Sequence, residues 1–300
     1  MANESQLEMD LQKPLIETFG VSRNGYVNSF LCNVYNGRMP YEHRQMFKKG
    51  SGSELDSKAR AVHSSSMLAY NFFSWINSKN TFTWNKVTYS EVYFEVKLPT
   101  IKKSNAPANM DIVLKGEEGE GSNKKTAYLF IESKFLEYTR SEEFDLSESY
   151  CDSNRYYYNS DVWPSVINEW KKQQGLKSKY QGGIKQSFCH LIGLGNLNND
   201  QALKKFNEKN KEFIQIKNIN NVNIRFANVV FEPKNEYTNE HNEYKYYHED
   251  YNCFLMHLDN KIKPIPDWYS YSDVWSVMKD QIKDECRLSY IERRYMRFAQ

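Results

Sequence analysis

Two stretches, PANMDIVL at 107–114 and YLFIESKFLEY at 128–138, set most of the limits on what this chain can fold into. Their apolar, aromatic and β-branched residues predict two buried strands, and the glycine-rich, charged KGEEGEGSNKK at 115–125 predicts the hairpin loop that joins them. Three ionisable residues, Asp111, Glu132 and Lys134, sit inside this apolar pair. Strand side chains alternate faces, so Glu132 and Lys134 project to one side, and Asp111 can lie beside Glu132 across the pair. A buried charge is costly unless it is paired or bound to a metal, so this trio needs a physical reason to be there.

The remaining pattern surrounds the hairpin with alternating elements. Residues 1–50 read as partly helical and end in a glycine and serine break, KKGSGSE. Leu55, Ala59, Val62, Ser66, Ala69, Phe73 and Ile76 recur at three- and four-residue steps and predict a long helix over 54–78. Strands are predicted at 81–84, 87–98 (ended by Pro99), 110–114, 126–135 and 223–231 (stopped by Pro233). Helices are predicted at 162–174, at 180–194 with a stripe of Ile184, Phe188, Leu191 and Ile192, and at 273–296. Residues 139–160 read as an irregular, tyrosine-rich insertion. No internal repeat interrupts the chain. The economical architecture is a single α/β domain over 1–300: a mixed sheet of about four to five strands flanked by helices, with helical additions at both ends.

Composition narrows the class without naming a partner. A chain of 300 residues with 40% hydrophobic and 26% charged residues supports a sizeable core. A net charge of +2 makes any nucleic-acid surface local rather than global. No apolar run approaches the length of a membrane span, and the first twenty residues lack the basic-then-apolar order of a signal peptide. The five cysteines are scattered with no close pair, as expected of reduced thiols, so a cytoplasmic location is expected. Basic segments at 102–105, 123–125, 169–183 and 204–211 read first as solvated faces, and KKQQGLKSKY is the best of them for phosphate contact. The tyrosine clusters RYYYNSD and EYKYYHEDY read as packing before base stacking.

An isolated E-x-K is a weak signal, because VYFEVKL carries a second one at Glu95 and Lys97 and either could be a plain ion pair. What adds weight is Asp111. Two carboxylates brought that close repel unless a cation holds them, and a few hard oxygen ligands supplemented by water suit Mg²⁺. An adjacent lysine could then orient or deprotonate an attacking water and stabilise charge on a phosphorane.

The order Asp111, then Glu132-Ser133-Lys134, on a hairpin after a long helix resembles the PD-(D/E)XK superfamily of restriction-endonuclease-like proteins. ELDSK, HSSSMLAYNFF, PANMDIVL, FIESKFLEY, KQSFCHLIGL and NVVFEP together look like a branch of bacterial restriction endonucleases. The resemblance covers about residues 50–235, leaving 1–49 and 236–300 as additions. It implies a catalytic set of Asp111, Glu132, Lys134, Glu54 and Gln186, with Mg²⁺ (Mn²⁺ as a substitute) held by Asp111, Glu132 and Glu54. It also implies DNA as substrate, a 5′-phosphate product, and a homodimer if both strands of a duplex are cut. Glu95 is the rival for the third acid. Met110 stands where the superfamily often has proline, and His190 stands where exonuclease branches carry the tyrosine of Q-x-x-x-Y. Gly182 and Gly183 open the helix that carries Gln186 and leave backbone N–H groups for a phosphate. A nucleic-acid-binding protein of the same fold without cleavage, and a nuclease acting on RNA or repair intermediates, remain alternatives. The geometric expectation is that the carboxylates of Asp111 and Glu132 converge, with the Lys134 amine beside them and Glu54 or Glu95 nearby.

Overall fold

The buried hairpin forms, and it is the centre of a larger sheet. In the computed structural model, which describes residues 6–19, 25–50, 54–104, 106–139, 144–174, 182–238, 243–258 and 262–300, six strands lie side by side in chain order. They are β1 (Phe82–Trp84), β2 (Val87–Leu98), β3 (Ala108–Glu118), β4 (Lys125–Lys134), β5 (Val222–Val230) and β6 (Asp267–Ser270). β1 to β4 form an antiparallel meander, while β5 runs parallel to β4 and β6 parallel to β5. The architecture is α/β, with six strands rather than four to five. β6 is only four residues, DWYS, too short to show a periodicity, and it exists because the end of β5 offers it a parallel partner.

Nine α-helices accompany the sheet among the described residues: α1 (Gln6–Phe19), α2 (Tyr41–Lys49), α3 (Ser65–Phe73), α4 (Trp163–Gln174), α5 (Gly182–Asn196), α6 (Asp200–Lys209), α7 (Glu243–Leu258), α8 (Tyr271–Met278) and α9 (Glu285–Arg294). The alternation of β4 assigns them to sides. Ser133 bonds the Ser65 carbonyl of α3 and the Tyr271 hydroxyl of α8, whereas Lys134 reaches Gln186 of α5. The sheet is thus covered on both faces, α3 and α8 on one and α5 on the other, and this explains why β4 is buried almost throughout. Ile184, Phe188, Leu191 and Ile192 of α5 are fully buried, as the stripe predicts.

Two helix expectations need correction. Residues 54–78 do not form one helix. A turn at 54–57 and a 3₁₀ segment (Lys58–Arg60) precede α3. The backbone there bonds another segment instead of itself: Val62 N–H donates to Gly25 O at 3.0 Å, and Val27 N–H donates to Arg60 O at 2.9 Å. Ser64 then caps α3, its hydroxyl accepting from Met67 N. The apolar positions Leu55, Ala59 and Val62 are buried all the same, which is why the period misleads. The closing helix is likewise split into α8 and α9, with extended Ile282 between them and Asp284 starting α9 by accepting from Arg287 N.

EYKYYHEDY forms the first half of α7, whose Tyr244, Tyr247 and Tyr251 are buried, as the packing reading expects. β1 pairs only with the first residues of β2, so beyond them β2 is open on that side. Asn210, just past α6, closes it. Its Oδ1 accepts from Lys97 N at 3.0 Å and its Nδ2 donates to Lys97 O at 2.9 Å, reproducing a strand pairing with one side chain. Asn210→Ala leaves both backbone groups unpaired and should destabilise the fold by about 2 kcal/mol, read as a lower denaturant midpoint with an unchanged slope. An unchanged midpoint would show that water replaces the amide at no cost.

Candidate active site

The strand registers build the site. β2 pairs with β3 through Phe94–Ile112 and Val96–Met110, which puts Glu95 across from Asp111. β3 pairs with β4 through Ile112–Ile131, and the next step of the same register puts Asp111 across from Glu132. Three acids on three adjacent strands therefore stand in one row. Glu132 pairs in turn with Asn228 of β5, which is fully buried.

Glu95, Asp111, Glu132 and Lys134 line a cavity of about 730 Å³, together with Glu54, Gln186 and His190. All five residues named from the sequence as site residues are in this lining. Glu132 and Lys134 are only 2% and 7% exposed, so their charges are held largely out of water. Lys134 Nζ donates to Glu132 Oε1 at 2.6 Å and to Gln186 Oε1. Asp111 Oδ2 accepts from Ser133 N at 2.8 Å. Glu54 is held from two sides, by Ser66 Oγ–H at 2.6 Å and the Lys58 ammonium at 3.5 Å. No helix starts at Glu54, which lies in the turn at 54–57.

Glu95 departs most from what its sequence suggests. It does not pair with Lys97: among the described residues it has no ion-pair partner within 4.0 Å. Its backbone is left-handed at φ 54°, a costly conformation for glutamate in mid-strand, and the turn re-aims its side chain out of ordinary alternation. Gly50, just after α2, gives that side chain room, because a Cβ there would sit 2.6 Å from Glu95 Oε2.

Electrostatics follow from the crowding. Burial, and then the charges of Glu54 and Glu132, push the Glu95 carboxyl up to about 8. Burial, then Glu132 and Glu95, push Asp111 well above the usual carboxylate range. For Lys134, burial favours the neutral amine, but Glu132, Glu137, Tyr247 and Asp111 outweigh it and hold the ammonium. A lysine in that state donates hydrogen bonds and offsets negative charge. Burial holds the His190 imidazole neutral despite Glu132 beside it.

An all-oxygen row of acids that takes up protons to relieve its own repulsion fits a hard divalent cation. Asp111 and Glu132 are the residues that would hold it, with Glu95 adjoining. Among the described residues no group of three or more His, Cys, Asp and Glu side chains stands in metal-holding geometry, so much of the coordination would come from water, as is common for magnesium.

Other sequence expectations meet plainer outcomes. Residues 175–180 of the KKQQGLKSKY segment and Asn105 of KKSN lie outside the described residues. Lys171 is paired with Glu148, and Lys102 and Lys205 both lie over the Tyr157 ring. Gly183 packs under the Tyr247 hydroxyl, where any Cβ would collide. Tyr247 belongs to the EYKYYHEDY cluster; it is buried in the cavity wall, and its hydroxyl has no partner among the described residues. It arrives from α7, more than a hundred residues beyond the hairpin, and no local pattern places it in this cavity.

A meander that aligns acids beside a buried lysine, under a helix that brings Gln186 to that lysine, is the arrangement of a restriction-endonuclease-like protein. The family described as Restriction Endonuclease associating with ARP matches residues 12–272, and the chain belongs to that family. No curated protein and no solved structure matches the chain significantly.

The acid row makes a pH prediction. Folded Glu95 holds its proton up to about pH 8, whereas the unfolded chain releases it near 4.5. Between those values the folded state binds more protons, so stability falls as pH rises through the window, and Asp111 acts in the same direction. Melting temperature measured in chelator should decline from pH 5 to pH 8, and Glu95→Gln should flatten the decline and melt higher at pH 8. An equal slope in both proteins would show that Glu95 is not strained.

Proposed function

We propose that this chain is a Mg²⁺-dependent endonuclease of the PD-(D/E)XK type that hydrolyses phosphodiester bonds in DNA. The observation that carries the reading is the alignment of Glu95, Asp111 and Glu132 on three adjacent strands, with the Lys134 ammonium on Glu132. A divalent cation held there would neutralise charge on the reacting phosphoryl group. Lys134 donates to a non-bridging phosphate oxygen as negative charge builds up, oriented by Glu132 and Gln186. The Tyr247 hydroxyl, buried near Lys134 and without a partner among the described residues, adds a second donor to the same oxygens. Water attacks phosphorus opposite the 3′-oxygen; the bond from phosphorus to that oxygen breaks, one proton of the water passes through solvent to the departing 3′-oxygen, and the 5′-phosphate remains on the other fragment. Glu95 is the third acid in this reading, because it shares the row with Asp111; Glu54, secured by Ser66 and Lys58, supports it from outside. The family's description names association with ARP, so that partner belongs in the assay.

Purified protein incubated with supercoiled plasmid, with and without ARP, should nick it in Mg²⁺ and not in EDTA. Lys134→Ala should lower the rate at least about a hundredfold while DNA affinity changes little. Asp111→Asn and Glu132→Gln should lose cleavage and Mg²⁺-dependent thermal stabilisation together, since an ion that binds only the folded chain stabilises it by mass action. Tight DNA binding with no cleavage under any of these conditions would replace the nuclease with a binding protein of the same fold.

A further inference from the structure

His190 is one of the two histidines that line the cavity, and its surroundings are unusual for a core imidazole. It is 2% exposed, carried by α5 against β3. Nε2 lies 3.0 Å from the Asn109 carbonyl oxygen. That oxygen can only accept, so Nε2 carries the hydrogen and a neutral ring has its lone pair on Nδ1. Among the described residues Nδ1 has no hydrogen-bond partner, and it faces Glu132 Oε2 at 3.6 Å. Glu132 Oε1 is engaged by Lys134, so Oε2 is the carboxylate oxygen turned toward the imidazole.

Two lone-pair atoms thus face each other across a gap too wide for a shared proton and enclosed by protein. Something electron-poor between them would remove that cost. The rest of the geometry is that of a metal-ligating histidine, which characteristically donates its other ring N–H to a backbone carbonyl or carboxylate. Two adjacent ligand atoms about 2.2 Å from one octahedral ion stand about 3.1 Å apart, so a closing of about half an ångström would bring both onto one ion. The carbonyl that orients the ring belongs to Asn109, two residues before Asp111 on the same strand, so β3 supplies an acid and positions the imidazole.

We propose that His190 Nδ1 and Glu132 Oε2 are direct ligands of one divalent cation, and that this nitrogen turns the site from Mg²⁺ toward Mn²⁺ and later transition ions. The inference rests on the metal-dependent reading above and deepens it. Oxygen-only sites suit Mg²⁺, whereas imidazole adds affinity for transition ions and little for magnesium. The rival occupant is a single bridging water.

The probe is Mn²⁺ on the full chain, read by pulsed electron paramagnetic resonance. Bound Mn²⁺ should show coupling to ¹⁴N that becomes ¹⁵N coupling when the protein is grown with [¹⁵N]histidine, a readout that needs no variant. His63→Gln, at the other cavity histidine, should keep the coupling. His190→Gln should lose it, with Mn²⁺ affinity falling about tenfold and Mg²⁺ affinity little changed. Bound Mn²⁺ without histidine coupling, or coupling that survives His190→Gln or vanishes in His63→Gln, overturns the inference and leaves the metal-dependent reading standing. Failure of the wild-type chain to bind either Mn²⁺ or Mg²⁺ overturns both.

Discussion

Repulsion among aligned carboxylates is the constraint around which this molecule is arranged. At an effective dielectric of about 20, two carboxylates about 5 Å apart repel by about 3 kcal/mol, and the row contains three. The register of β2, β3 and β4 makes that proximity unavoidable, because moving one acid away would slip a strand and turn its buried residues to the wrong face. The row therefore persists at a cost met by the apolar sheet around it. Phe94, Ile112, Ile131 and Phe130 are all buried, and Phe47 stacks on Phe94 at 5.3 Å.

Local devices divide the burden. Ser133 N–H and the Lys134 ammonium each take one carboxylate oxygen, and Ser66 and Lys58 secure Glu54. The left-handed turn at Glu95 and the absence of a side chain at Gly50 let one acid swing clear of ordinary strand alternation. None of these removes the repulsion, which is relieved instead by the protons that Glu95 and Asp111 retain. Lys134 is protonated for the same reason: it is the buried cation nearest to a surplus of acids.

Much of the hairpin chemistry was legible in the chain. Asp111, Glu132 and Lys134 reach one cavity because strand alternation and a glycine-rich turn leave few other places for them. Gln186 meets Lys134 because a stripe on one face of α5 orients the other face, a consequence of helical period alone. The segment 54–78 was misread because burial was taken for periodicity. Its apolar residues do face the core, but its backbone bonds residues 25–27, and hydrogen-bond partners so distant in sequence leave no local mark. The same holds for Asn210, which closes the edge of β2 from beyond α6.

The sequence by itself determined the α/β class, the meander and the identity of the acids and lysine, since side-chain period and apolar patterning are properties of neighbours along the chain. Tertiary structure decided that Glu95 stands across from Asp111 and does not pair with Lys97, that Tyr247 enters from α7, and that Nδ1 of His190 faces Glu132. Each of these depends on the angle at which one element crosses another, or on a single backbone dihedral. Such quantities are set by packing among residues far apart in the chain, where no spacing rule applies.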